Sequence, residues 1–217
     1  ICLCPTDQAI SNLKKEGIYN NKNKIVKNIG DVMYDVMLHF SKELKPSNKI
    51  KKTIKKKPFI LSTIHRAENT DTSTNLKEII EALTIISKNK TVILPLHPRT
   101  KKKLLEFDIN TKDIKIIDPV SYLDMLSLLH NCSMVLTDSG GLQKEAYFSK
   151  KYCITLREET EWIELINNKV NVIAGPNKNK IIEELNNAPK DLDFTQNLYG
   201  DGKAGEKTLN EIISFKY

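Results

Sequence analysis

The sequence predicts an α/β protein built on a doubly wound parallel sheet with helices on both faces. Three observations predict it. Six short apolar runs recur at 58–64, 91–96, 113–117, 133–137, 152–156 and 170–174. Helical patterns lie between them at 73–87, 98–107, 121–130, 140–148 and 161–166, and another follows at 179–187. Strands that read as continuous apolar runs, each followed by a helix, belong to parallel sheets buried on both sides. The third observation is the junction Thr137-Asp138-Ser139-Gly140-Gly141-Leu142-Gln143-Lys144-Glu145-Ala146, where a buried strand turns tightly into a helix.

Residues 1–5 read as the end of a strand. Thr6-Asp7 then caps a helix that runs to Lys15, and Gly17 stops it. A short strand at 24–29 and an amphipathic helix at 31–45 follow. The chain opens without a methionine and in mid-strand, so a fragment is expected, with residues 1–45 as the end of a preceding domain. Residues 42–57 hold eight lysines in sixteen positions. A nucleic-acid or anionic-membrane patch is one reading of such a run. No aromatic or arginine interleaves these lysines, as a single-strand reader would require. The run therefore reads as a solvated linker, 46–57, ahead of a nucleotide-binding domain at 58–200. The turn-rich stretch from Leu198 to Gly205 leads into a last helix at 207–214, which makes 201–217 a C-terminal helical segment.

Composition sets outer bounds. Apolar content of 40% and charged content of 28% are ordinary for a globular chain. No apolar run approaches the ~20 residues needed to span a bilayer. Cys2, Cys4, Cys132 and Cys153 have no zinc spacing and sit in apolar stretches, as reduced buried thiols do. That usage fits the cytoplasm. No metal cluster and no Ser-His-Asp arrangement is readable.

The junction carries the chemistry. Ser139 caps the helix through its hydroxyl. The two glycines let a ligand approach the backbone and permit positive φ. Free N–H groups at a helix start attract an anion, above all a phosphate. Glu145, one turn in, is placed to accept hydrogen bonds from the sugar hydroxyls of a nucleotide. The competing reading is an ordinary capped βα turn. The common strand order 3-2-1-4-5-6 puts its switch point between the first and fourth strands, and ligands bind outside the strand ends there. On that topology His65-Arg66 faces Ser139-Gly140-Gly141 across one crevice, with Arg157 next door. A His and an Arg on one loop can hold a diphosphate, and the His can move a proton. Alternatively, the loop is structural, with Asn69 or Asp71 capping a helix. His97, with Arg99, forms a second pair one strand removed. Arg157 could pair a phosphate, and the carboxylates after it could cap the next helix. His39 and His130 receive no role.

These residues also carry a family resemblance. His65-Arg66-Ala67-Glu68-Asn69, Leu96-His97-Pro98, the junction from Thr137 to Ala146, Arg157 with Thr160-Glu161, and Tyr199-Gly200-Asp201-Gly202-Lys203 resemble the non-hydrolysing UDP-N-acetylglucosamine 2-epimerases. Cys4-Pro5-Thr6 and Gly30-Asp31-Val32 resemble the segment before that family's second domain. The resemblance implies a Rossmann-like sheet forming the C-terminal half of a GT-B-type two-domain fold. It implies that Ser139, Gly140 and Gly141 hold the diphosphate of UDP, Glu145 its ribose, and Met125 its uracil. It places His65 at the catalytic cleft and Arg157 at the sugar nucleotide. It gives Arg66 and His97 to a second, regulatory UDP-sugar site. The reaction implied is inversion of C2 of a UDP-2-acetamido sugar, by elimination and re-addition of UDP, with no metal or redox cofactor. Acidic residues acting on C2 would belong to the first domain. The expected partners are a UDP-sugar and, at full length, a second copy in a homodimer, with neither nucleic acid nor membrane. One departure stands out. Most members carry Thr-Glu-Arg where this chain has Thr160-Glu161-Trp162. With His65 to Asn69, that version looks closer to the branch acting on UDP-2,3-diacetamido-2,3-dideoxyglucuronate. A GT-B glycosyltransferase domain is the further alternative.

Overall fold

Two parallel sheets organise the computed structural model, which describes residues 1–21, 23–54 and 58–215. The chain divides into one unit of residues 1–43 with 195–217 and another of residues 44–194.

In the first unit, β1 (Cys2–Cys4) pairs in parallel with β2 (Val26–Asn28). Helix α1 (Asp7–Lys15) connects them, and the Ala9 N–H donates to Thr6 Oγ1 at 3.1 Å as its cap. Helix α2 (Val32–Ser41) starts at Asp31, whose carboxylate accepts from the Met33 N–H at 2.8 Å. The glycine before it is required. Gly30 has φ +86°, and a Cβ there would sit 3.0 Å from the Tyr199 carbonyl oxygen. The same unit holds the last helix, Ala204–Ser214, which packs on α2.

The second unit contains the expected alternation. Helix α3 (Asn48–Ile54) precedes β3 (Phe59–Thr63), α4 (Ala67–Thr70), α5 (Ser73–Ser87), β4 (Thr91–Pro95), α6 (Pro98–Glu106) and β5 (Lys115–Ile117). Then come α7 (Tyr122–Asn131), β6 (Met134–Thr137), α8 (Gly140–Phe148), β7 (Cys153–Thr155), α9 (Ile163–Asn167), β8 (Asn171–Ile173) and α10 (Lys178–Asn186), leaving the C-terminal helix as α11. The sheet order is β5-β4-β3-β6-β7-β8 and every pairing is parallel. Counted from the first strand of this unit, that is 3-2-1-4-5-6, the Rossmann-like doubly wound order. All five residues of β3 are buried because helices cover both faces. Helix α5 buries Leu76, Ile79, Ile80, Leu83 and Ile86, a stripe at helical spacing. These side chains meet Ile60, Val92, Leu94, Leu136 and Ile154 in one core.

The structure corrects two expectations here. Much of the expected linker is helical: α3 buries Ile50 and Thr53, and it is tied to α7 where the Ser47 N–H donates to Asp124 Oδ1 at 2.7 Å. The lysines of α3 mask this, because they occupy its exposed side while two residues anchor it; residues 55–57 of that stretch lie outside the described residues. The loop after β3 also contains a helical turn, α4, that its polar sequence concealed. The thiols of Cys4, Cys132 and Cys153 are buried and free. Burial pushes the Cys132 thiol up to about 12, so it stays protonated and inert.

Candidate functional site

The carboxyl ends of β3 and β6 meet at the switch point, and the side chains there are bound to one another. Thr63 and Thr137 share a hydroxyl hydrogen bond of 2.6 Å, and the Ser139 N–H donates to Thr137 Oγ1 at 2.9 Å. Ser139 then caps α8, accepting from the Leu142 N–H at 3.3 Å. Thus two threonines at paired positions of neighbouring strands fix where the helix begins. Gly140 and Gly141 are the first residues of α8, and neither has positive φ, contrary to the expectation from sequence. The value of Gly140 lies in close packing instead. A Cβ there would stand 3.4 Å from Glu161 Oε2 and Trp162 Nε1, and 3.6 Å from Arg66 Nη2.

Asp138 is the residue that sequence reasoning quoted and left without a role. Its carboxylate is fully buried. It accepts from the His65 N–H at 3.0 Å, the Arg66 N–H at 3.0 Å and Asn69 Nδ2 at 3.2 Å. The His65 ring nitrogen Nδ1 stands 3.3 Å from Oδ1. Asn69 also donates to the Leu156 carbonyl at 2.9 Å, so it joins three strand ends rather than capping a helix. An acidic residue inside an otherwise apolar strand end was the signal that could have found it, since a buried charge must be satisfied by donors.

In front of this junction lies a cleft of about 260 Å³ lined by His65, His97, Met125, Ser139, Leu142 and Glu145, with Thr63, Pro95 and Pro119 among its walls. The structure therefore brings His65, Met125, Ser139 and Glu145 together, as expected. His97, which the sequence set one strand away, lines the same cleft, its ring 6.5 Å from that of His65. It also caps α6, accepting from the Arg99 N–H at 3.2 Å. Glu145 is buried, and desolvation raises its carboxyl above the usual range; a hydrogen bond from Tyr122 and the nearby Lys144 offset part of that. The Tyr122 hydroxyl is pushed up to about 12, first by burial and then by Glu145.

Arg157 stands apart from the cleft walls. Its side chain is 6% exposed. Nε donates to Glu68 Oε1 at 2.7 Å, and Nη1 to both oxygens of Glu161 at 3.0 Å. Burial would lower the Arg157 pKa, but these two carboxylates outweigh it and raise it. Glu161 thus pairs with Arg157 instead of capping α9, whose first turn has no side-chain cap. The loop that follows is fastened to α8 from both ends. Thr160 donates to Gln143 Oε1 at 2.6 Å, and Trp162 Nε1 to the Gly140 carbonyl at 2.8 Å. The Lys144 ammonium lies 4.3 Å from the centre of the Trp162 ring, a cation–π contact.

A capped helix start, with a carboxylate one turn in, borders this cleft, an arrangement that can receive an anion. A family model described as UDP-N-acetylglucosamine 2-epimerase matches residues 1–213. A Methanococcus maripaludis protein, a UDP-N-acetylglucosamine 2-epimerase homolog, is 43% identical over 220 residues, which cover 98% of this chain and 60% of that protein. A Pseudomonas aeruginosa UDP-2,3-diacetamido-2,3-dideoxy-D-glucuronate 2-epimerase is 43% identical over 209 residues, covering 95% of this chain and 58% of its own length. The crystal structure of Methanocaldococcus jannaschii UDP-GlcNAc 2-epimerase in complex with UDP-GlcNAc and UDP is similar with a TM-score of 0.88 at 36% identity, over 98% of this chain and 60% of that one. The chain spans about 60% of the length of the relatives it matches.

Proposed function

The chain belongs to the UDP-N-acetylglucosamine 2-epimerase family, and from that premise we propose that the protein inverts C2 of a UDP-2-acetamido sugar, as a non-hydrolysing isomerase. The observation that carries the reading is the cleft at the strand switch point, where a capped helix start, a histidine and a buried carboxylate converge. On this reading the N–H groups at the start of α8, with the Ser139 hydroxyl, receive the diphosphate, and Glu145 accepts from the ribose. Met125 lies under the uracil. UDP leaves C1 as C2 loses its proton, and it adds back after C2 is protonated on the other face. The departing diphosphate gathers negative charge, which preorganised N–H donors and the helix dipole stabilise without reorganising. His65 borders the same space and holds or gives a proton there. The acid–base groups that act on C2 would come from the part of the relatives' length that this chain does not span.

Arg157 fits a supporting role better than a direct one, because two carboxylates already occupy its guanidinium. Arg66 reaches Gly140 and His97 lines the main cleft, so a regulatory UDP-sugar held by this pair would lie against the catalytic one. A homodimer in the cytoplasm is the assembly and location we propose for the intact protein.

A second reading concerns the sugar. The relatives at 43% identity include an enzyme named for UDP-2,3-diacetamido-2,3-dideoxy-D-glucuronate, and this chain reads Thr160-Glu161-Trp162 in the loop whose resemblance pointed to that branch. The test is deuterium incorporation at C2, followed by NMR in deuterated water. The intact protein should exchange C2 of UDP-N-acetylglucosamine or of the diacetamido uronate, and the faster substrate identifies the sugar. No exchange with either, together with transfer of the sugar to an added acceptor, would instead indicate a glycosyltransferase.

A further inference from the structure

We propose that Asp138 is a positioning residue that fixes the His65 ring as its Nδ1–H tautomer and turns Nε2 toward the cleft. The inference rests on the reading of His65 as a participant in the reaction, but its central test does not.

The contacts around Asp138 argue it. Among the described residues, the groups that hydrogen-bond to this carboxylate are donors: the backbone N–H of His65 and of Arg66, and the Asn69 amide. A carboxylate so surrounded acts as acceptor throughout, and the carboxylate itself is fully buried. The His65 ring presents Nδ1 to Oδ1 at 3.3 Å. A buried acceptor this close to a ring nitrogen favours the hydrogen on that nitrogen, and the neutral ring then keeps its lone pair on Nε2. Nε2 lies across the ring from Nδ1, and His65 is one of the residues that line the cleft. The His65 side chain is 42% exposed, so the ring has a wet face toward a ligand and a dry face toward Asp138.

The backbone reinforces the side chain. Asp138 binds the main chain of the residue whose ring it orients, so backbone and ring of His65 are held to one carboxylate. The Ser139 cap follows Asp138 directly, which ties the histidine's orientation to the helix start that receives the anion. A ring held this way presents one acceptor atom in the neutral form. When protonated, it presents one N–H donor while the positive charge stays beside Asp138.

The experiment is long-range proton–nitrogen NMR on the intact protein labelled at histidine nitrogens. The chain's four histidines are assigned by His65→Gln, which removes one set of resonances. We expect a single Nδ1–H form for neutral His65. In Asp138→Asn the amide can donate to Nδ1, so the Nε2–H form should take over, and kcat should fall on the order of 100-fold or more with little change in KM. A wild-type ring in the Nε2–H form, or in an even mixture, overturns the inference whether or not the variant folds. An Nδ1–H ring whose loss in the variant leaves kcat intact keeps the positioning inference and removes His65 from the reaction.

Discussion

Replacing Arg157 by lysine keeps the charge and removes the fork. The guanidinium makes three hydrogen bonds, one to Glu68 at 2.7 Å and two to Glu161 at 3.0 Å. An ammonium is a point charge and can serve one of these carboxylates at a time. A hydrogen bond to a charged group contributes about 1.5–3 kcal/mol. The two carboxylates are about half exposed, so water recovers part of what is lost. The net cost should be about 1–3 kcal/mol, because one contact persists and the rest is partly screened. For a chain of this size that corresponds to a fall in melting temperature of about 2–12 °C. Differential scanning calorimetry of the parent and Arg157→Lys measures it, and UDP titration of both completes the comparison. The affinity should weaken modestly, since the strut holds the loop bearing Trp162 against Gly140. An unchanged melting temperature with UDP affinity lost more than tenfold would refute the reasoning, and would mean that Arg157 leaves its carboxylates to bind the ligand.

Gly140→Val should erase the preference for UDP over uridine, because branched carbons would press on Glu161, Trp162 and Arg66 at the helix start; calorimetric titration of both ligands checks it, and a variant that binds UDP as the parent does contradicts it. His65→Ala should lower kcat of the intact protein while leaving its melting temperature near the parent's, since the ring is partly exposed; a large loss of stability with normal turnover would make the residue structural. Glu145 supplies a pH test. Burial raises its carboxyl above 4.5 in the fold, so the cost of ionising it sets in as the pH rises through 4.5, is complete above the raised value, and disappears below 4.5. Glu145→Gln should therefore melt no lower than the parent at pH 7, and the difference should close as the pH falls through 4.5. Ribose hydroxyls favour the carboxylate, so UDP affinity relative to that of Glu145→Gln should also fall as the pH drops through the same range. Parallel melts and titrations from pH 4 to 7 measure both.

The fold was legible where local pattern and tertiary role coincide. Helix α5 carries its buried stripe at helical spacing, and each strand of the large sheet is a short apolar run closed by a turn, so both could be read without partners. In the candidate site, the cap at Ser139 and the place of Glu145 beside it in the cleft were legible, because they lie on the same stretch of chain. Reading failed where the decisive partner is distant in sequence. Asp138 meets residues that precede it by about seventy positions, and Arg157 meets Glu68 across 89 positions. No window of neighbouring residues shows that the guanidinium is already engaged or that His97 shares the cleft of His65. The glycines misled in a different way: Gly140 and Gly141 suggest backbone freedom, whereas Gly140 serves the contact of other side chains with the helix start. In α3 the lysines drew attention from Ile50, which holds the helix down.

The contact between Trp162 and Gly140 gives the site its own reporter. This chain has one tryptophan, and its indole nitrogen donates to the carbonyl of the residue that opens α8, with a lysine ammonium on the ring. Its emission therefore comes from one place, beside the proposed diphosphate position, with no background from elsewhere in the chain. An anion arriving at the helix start changes the field across that indole and the hydration of its exposed edge, so the band should shift or change in intensity on binding. Stopped-flow fluorescence of the unlabelled chain would follow the arrival of UDP in real time, and a silent tryptophan in the presence of saturating UDP would place the ligand away from this helix start.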